Sequence, residues 1–139
     1  MTIRIEIEPS PDHEVRRLID EGLDVFNAEH AGPENAEDFW VIARDDDGGL
    51  CGGLRARSSY AWLFIDWLWV SSPARSHGVG GLLLAKAEQA ARERGCLGAH
   101  VSTFSFQAPE FYRRHGYEEF GRIDGFPVGH ACLWLKKTF

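Results

Sequence analysis

Hydrophobic and polar positions repeat with two different periods along this chain, and the changes of period mark its elements. From Thr2 to Glu8, Ile3, Ile5 and Ile7 alternate with Arg4, Glu6 and Glu8, the period of two expected of a strand with one buried face. This predicts a short first strand toward a sheet edge. Ser10 then offers an N-cap with Pro11 at the first helical position, and Val15, Leu18, Ile19, Leu23 and Phe26 recur on one helical face, so an amphipathic helix follows. Asn27 to Asp38 carries Gly32-Pro33 and several acidic residues and reads as a loop or a loose helical turn.

The next stretch changes back to period two. Phe39 to Ala43 and Leu50 to Arg57 are predicted strands, paired as a hairpin through Asp45-Asp46-Asp47-Gly48-Gly49. Consecutive aspartates with glycines make a solvated turn; a calcium loop needs alternate ligands and a distal Glu, so no metal is expected. Ser58 and Ser59 reverse the chain into Trp62 to Val70, a run of aromatic and β-branched residues that reads as a buried central strand. On strict alternation Trp62, Phe64, Asp66, Leu68 and Val70 share one face, and Trp67 and Trp69 pack on the other. After Ser71-Ser72-Pro73 and a glycine-rich turn, positions 83, 87, 90 and 91 fall on one face of a helix over 80 to 94, with Arg92 and Arg94 in its last turn and Gly95 as its stop.

Leu97 to Phe104 is a further strand, Pro109 to Arg114 a short helix closed by Gly116, and Tyr117 to Arg122 and Gly129 to Lys136 the last two strands. The strand, helix and strand at 62–104 predict a right-handed parallel crossover in an otherwise antiparallel sheet. The expected fold is a mixed α/β class: a mostly antiparallel central sheet of six to seven strands flanked by helices, in one domain spanning residues 1–139.

Composition narrows the partners. A chain of 139 residues with 44% hydrophobic residues and 15 glycines suits one globular domain, enough to bury about two thirds of the unfolded surface. No segment is apolar for long enough to cross a membrane, and Met1 to Ile5 leads into alternating residues without an apolar signal core. Cys51, Cys96 and Cys132 share no metal-ligand spacing and read as reduced thiols of a cytoplasmic protein. A net charge of −6 argues against nucleic acid and anionic membranes, which are bound through Lys and Arg patches. A cationic or neutral small molecule suits the balance better.

The chemistry centres on the turn Arg75-Ser76-His77-Gly78-Val79-Gly80-Gly81. Glycines at a strand-to-helix junction let a ligand approach the backbone, and the first helical turn offers free N–H groups with partial positive charge. No Gly-Lys-Ser/Thr follows, and Leu83 stands where a dinucleotide fingerprint places its third glycine, so the two common nucleotide motifs are absent. Arg75, Gly78 and Gly80 form Arg-x-x-Gly-x-Gly, which resembles the pyrophosphate-binding motif of the GCN5-related N-acetyltransferase (GNAT) family. Further on, Ala108, Phe111, Tyr112, Gly116 and Tyr117 match that family's second signature, while Ser105 stands where the family usually places a cofactor-contacting Asn.

This resemblance implies acetyl-CoA as donor, held between two splayed strands, and direct attack of an amine on the thioester. It implies that the backbone at Leu68, Trp69 and Val70 pairs with the pantetheine amides. It places the pyrophosphate on Arg75, Ser76, His77, Gly78, Val79, Gly80 and Gly81, and further cofactor contacts on Ser105, Ala108 and Phe111. The family also places a tyrosine at the position of Tyr112, where the resemblance implies a neutral phenol that hydrogen-bonds to and protonates the departing thiolate. Asp66 is read directly from the strand: a lone carboxylate among apolar side chains, either the acceptor's anchor or base, or half of an ion pair with Arg55 or Arg57. His100, His115 and His130 are further candidates for proton handling. Tyr60, Trp62, Trp67 and Trp69 are dense enough to wall a pocket, with cation–π attraction for an ammonium.

Three functions fit: an N-acetyltransferase acting on a small, cationic primary amine, a non-catalytic acyl-CoA sensor, or an acyltransferase acting on a protein or aminoacyl-tRNA. Tyr112 favours the enzyme, and net acidity disfavours the tRNA. The particular amine, the acyl preference and whether the chain forms a homodimer are not written in these patterns.

Overall fold

The computed structural model describes all 139 residues. They form two compact units, Met1–Glu34 and Asn35–Phe139. The first unit holds one helix, α1 (His13–Ala31). Its N-cap is Asp12, whose Oδ1 accepts from the Val15 N–H at 3.0 Å, so the helix starts three residues after Ser10 and continues past Asn27 to the Gly32 stop. The expected strand over Thr2–Glu8 is not formed: Ile3, Ile5 and Ile7 are exposed and the segment has no strand assignment. Alternation supplies a strand's side-chain pattern but not its hydrogen bonds, and this unit contains no second strand to supply them.

The second unit is a six-stranded sheet: β1 (Glu37–Arg44), β2 (Leu50–Ser59), β3 (Trp62–Val70), β4 (Gly98–Phe104), β5 (Glu118–Asp124) and β6 (Ala131–Thr138). The strand order is β1-β2-β3-β4-β6-β5. Only β3 and β4 run parallel, joined by the predicted crossover through α2 (Val79–Glu93). The first hairpin closes on Asp45, whose Oδ1 accepts from the N–H groups of Asp47 at 2.9 Å and Gly49 at 2.8 Å. The acidic tripeptide therefore shapes the turn. Between β4 and β5 lies α3 (Pro109–Arg114).

The core lies on one face of the sheet. Leu54, Ala56, Leu63 and Ile65 project from β2 and β3 against Leu83, Leu84, Ala87 and Ala91 of α2, and each fully buried leucine or isoleucine contributes about 1.5–3 kcal/mol. One polar cluster crosses this apolar layer. Glu88 of α2, 5% exposed, accepts from the Tyr117 hydroxyl and from Lys137 Nζ, both at 2.8 Å. Every buried polar side-chain atom has a partner, as buried groups in native proteins must.

Because Glu88 is shared by two donors from outside α2, Glu88→Ala should cost about 2–4 kcal/mol in urea unfolding, leaving a hydroxyl and an ammonium without their acceptor. Tyr117→Phe should cost about 1 kcal/mol. Burial pushes the Tyr112 phenol up to about 12 and raises Tyr117 as well, with Glu88 adding to the rise. A phenol in the unfolded chain titrates near 10, so the unfolded state binds fewer protons above that pH. Stability should hold below pH 10 and fall as pH rises from about 10 to 12, a loss that unfolding curves at stepped pH will read.

Candidate active site

The two parallel strands separate. Pairing of β3 with β4 runs only from Trp62 opposite Gly98 to Ile65 opposite Val101, whereas β3 continues to Val70 and β4 to Phe104. Beyond Ile65 one edge of β3 therefore has no strand partner. A cleft of about 950 Å³ opens there, lined by Asp66–Val70 on one wall, by Val101–Thr103 and Phe106–Ala108 on the other, and by the turn at 74–81 and α3 at its end. A free strand edge offers alternate N–H and C=O groups to an extended ligand.

The wall at Asp66 is irregular. Arg55 of β2 pairs with Trp67 while the next residue, Ala56, pairs with Ile65, so Asp66 is an extra residue, a β-bulge. The bulge resets the alternation. Leu68 and Val70 pack against the core with Leu63 and Ile65, whereas Asp66, Trp67 and Trp69 are exposed. The strict period that groups Asp66 with Leu68 and Val70 fails at this residue; Asp66 stands with Trp67 and Trp69 on the face away from α2. It is not buried either. Its side chain is 40% exposed and its Oδ2 lies 3.4 Å from Arg55 Nε, while Arg57 pairs with Asp38 at 2.9 Å. The Arg55 guanidinium also covers the ring of Trp67 at 4.8 Å.

At the far end of the cleft, Gly78 caps α2 in the left-handed region (φ 75°) with no side chain bonded to the first-turn N–H groups. Those donors, at Val79, Gly80 and Gly81, are left for a ligand. Gly80 serves a second purpose: a Cβ there would meet the Phe111 ring at 3.1 Å, so its absence lets α2 and α3 pack closely. Arg75 Nε donates to the Val70 carbonyl at 3.1 Å, which ties the turn to the end of β3. Ser76 lines the cleft, and His77 does not. Ser105 also lies outside the lining: its hydroxyl accepts from Ala131 N–H at 3.0 Å, anchoring the loop to β6.

Tyr112 is 6% exposed and lines the cleft from α3. Its pKa, pushed up by burial to about 12, keeps it a neutral donor at any physiological pH. Gln107, between β4 and α3, lines the opposite wall. Its Oε1 accepts from Phe104 N–H at 2.9 Å and from Thr103 Oγ1 at 3.3 Å, so its amide N–H groups remain available. His115 also lines the cleft, with Nδ1 bonded to the Phe111 carbonyl at 2.8 Å. His100 and His130 do not line it; His100 is half-buried, which lowers its basicity, and it meets Phe64 edge-on at 5.1 Å. The Gln107 and His115 bonds reach only three or four residues along the chain, whereas the contact of His100 with Phe64 joins distant segments.

Known proteins resemble this chain in sequence and in fold. The model of the acetyltransferase (GNAT) family matches residues 3–117. The blasticidin-S acetyltransferase of Streptomyces morookaense is 44% identical over 102 residues, 73% of this chain and 75% of that protein. Acetyltransferase Atu2258 of Agrobacterium fabrum is 33% identical over 128 residues, 92% of this chain and 93% of its own length. The crystal structure of an acetyltransferase from Bacillus cereus superposes with a TM-score of 0.87 at 29% identity, covering 96% of this chain and 98% of that one.

Two consequences of the packing are measurable without any ligand. Asp66→Asn should change stability by less than about 1 kcal/mol, the range for a half-exposed ion pair, in place of the larger loss expected of a buried one. Gly80→Val should cost about 1–3 kcal/mol through overpacking against Phe111, and Phe111→Leu in the same chain should recover part of it. Chemical denaturation checks both.

Proposed function

Given that the chain belongs to the GNAT acetyltransferase family and is an acyl-CoA-dependent N-acyltransferase, we propose that it moves the acetyl group of acetyl-CoA to the primary amine of a small, cationic molecule. The observation that carries this reading is the opening between β3 and β4, which brings a free strand edge, an uncapped helix N-terminus and a buried tyrosine into one cleft. The Streptomyces relative is named for acting on blasticidin-S, which supports a small-molecule acceptor.

The residues present fit the donor. The free edge of β3 over Leu68–Val70 suits the amides of an extended pantetheine arm, and the unbonded N–H groups of Val79, Gly80 and Gly81 suit a pyrophosphate. Ala108 and Phe111 line the same cleft. Bound acetyl-CoA would supply an activated acetyl group: the acceptor's ammonium would first give one proton to water, the neutral nitrogen would form the C–N bond as the C–S bond breaks, the nitrogen would then lose its second proton to water, and the sulfur would leave with negative charge. Tyr112, which lines the cleft, would donate a hydrogen bond to that sulfur. With a phenol near 12 and a thiol near 8.5, complete proton transfer from Tyr112 would be uphill by about 5 kcal/mol, so Tyr112 stabilises the thiolate as a donor while the proton itself comes from solvent. Asp66 is open to water and ion-paired, the condition of a charge that anchors, and we assign it to the ammonium group of the acceptor.

Tyr112→Phe should leave CoA affinity within about two-fold by calorimetry and lower kcat by roughly 10²- to 10³-fold, the usual effect of removing one donor from a developing charge. Unchanged turnover would reduce Tyr112 to a core residue. Since a phenol near 12 stays protonated, kcat of the parent should show no alkaline loss between about pH 8 and 11 from this group.

A further inference from the structure

Each unit of this chain leaves an apolar surface in water that it has no element of its own to cover. In the first unit α1 has no buried residue, and Leu18, Ile19, Leu23 and Phe26, which share one helical face, are 55–67% exposed. A helix of this length takes most of its stability from packing such a face, yet the unit contains no second element. Ahead of it Ile3, Ile5 and Ile7 keep a strand's alternation without a strand partner. In the second unit the sheet face away from α2 is bare. Pairing across β1, β2 and β3 sets Trp40, Arg55 and Trp67 in one row and Ile42, Gly53 and Trp69 in the next. The three tryptophans are 52–56% exposed, and a contiguous patch of this kind marks an interaction site. β1 also ends the sheet, so its outer edge is an open template for another strand.

The two surfaces are complementary: one is a helix face and a strand without a partner, the other a sheet face and a sheet edge without a cover. Both stay exposed with the whole chain present, so a second copy is the occupant that supplies each with the other. Charge selects which surfaces meet. The first unit carries three Arg against nine Asp and Glu, the whole net charge of −6, and the second unit is neutral. Two first units laid together would repel. The sheet face instead carries Arg55 over the rings of Trp40 and Trp67, with Arg57 on the same side of β2. Area suffices as well: Phe26 and the three tryptophans leave about 400 Å² of aromatic surface to be covered. The isoleucines and leucines leave at least as much, and a contact made twice reaches the roughly 1,600 Å² of a stable interface. We propose that two copies of this chain exchange their first units, α1 of each lying across the β1–β3 face of the other and Thr2–Glu8 of each adding a strand to the other's β1 edge. The exchange closes on two copies, because each gives one unit and receives one. Trp67 and Trp69 belong both to this face and to the wall of the cleft, so the helix of one copy borders the open side of the other's cleft.

Association is read by sedimentation velocity, without acyl donor or acceptor, so it stands or falls independently of acyl transfer. The parent at about 50 μM, above the Kd expected of an interface this size, should sediment as twice the 15.6 kDa of one chain. Leu23→Glu in the first unit and Trp40→Glu in the second should each weaken the dimer by about 100-fold or more, as charge at the centre of an apolar contact does. Mixing the two variants identifies the exchange. The Leu23→Glu copy keeps an intact sheet face and the Trp40→Glu copy an intact helix, so the equimolar mixture should recover a dimer held by one of the two contacts. A monomeric parent, or a mixture that stays monomeric, would overturn the exchange. So would a dimer broken by only one of the two variants, since helix-to-helix pairing needs Leu23 alone and sheet-to-sheet pairing Trp40 alone. Should a charged variant fail to fold by circular dichroism, Leu23→Ala and Trp40→Ala make the same comparison. Amide exchange on the parent reads the added strand: protection over Thr2–Glu8 should fall as the protein is diluted, and fast exchange there at every concentration would overturn the edge pairing.

Discussion

One extra residue in one strand organises the site. Asp66 has no opposite number on β2, and at that position β3 ceases to pair with β4. A bulge bends its strand and sharpens its twist, so β3 turns away from a neighbour that β6 continues to hold straight through its pairing from Gly98 to Phe104. The separation produces the cleft, and the reset alternation decides which side chains see it. Leu68 and Val70 return to the core, where apolar burial keeps β3 attached below the opening. Trp67 and Trp69 are turned outward as a consequence of the same count of residues.

An opening of this kind weakens a sheet locally, because one edge of β3 gives up its ladder. The opposing stabilisation lies on the helical side. α2 covers β2 and β3 with Leu83, Leu84, Ala87 and Ala91, and Glu88 joins it to Tyr117 and Lys137 at the start of β5 and the end of β6. Gly80 lets Phe111 come close, so α2 and α3 meet at the end of the cleft. The Tyr112 phenol lies beside Phe111 on α3, and the burial that holds it raises its pKa to about 12. Packing and chemistry are thus coupled: the apolar surroundings that fix the ring also keep it a hydrogen-bond donor.

Much of this was legible in the chain. Period two, period 3.6 and their punctuation by Gly and Pro locate all six strands of the sheet and the helices on either side of the cleft, since these signals come from the geometry of each element alone. The glycine turn at 75–81 and the Ala108-to-Tyr117 segment are legible for a related reason: a backbone that must approach a ligand, and a short helix opened by Pro109 and closed by Gly116, restrict residue type locally. Tyr112 is found by the same segment. Thr2–Glu8 shows where local patterning stops, because Ile3, Ile5 and Ile7 carry a strand's alternation without a partner to bond to.

What only the tertiary structure decided is how residues distant in sequence meet. The bulge is a mismatch between two strands, so it is invisible in either alone, and with it the side on which Asp66 stands. Its pairing with Arg55 and the diversion of Ser105 to Ala131 are each settled by register and close approach. The sequence determined the elements, their order and the family's signature residues, because those follow from the preferences of single segments. The fold determined which of those residues share a cleft and in what state of charge and burial, because hydrogen bonding and desolvation depend on neighbours that only the folded sheet supplies.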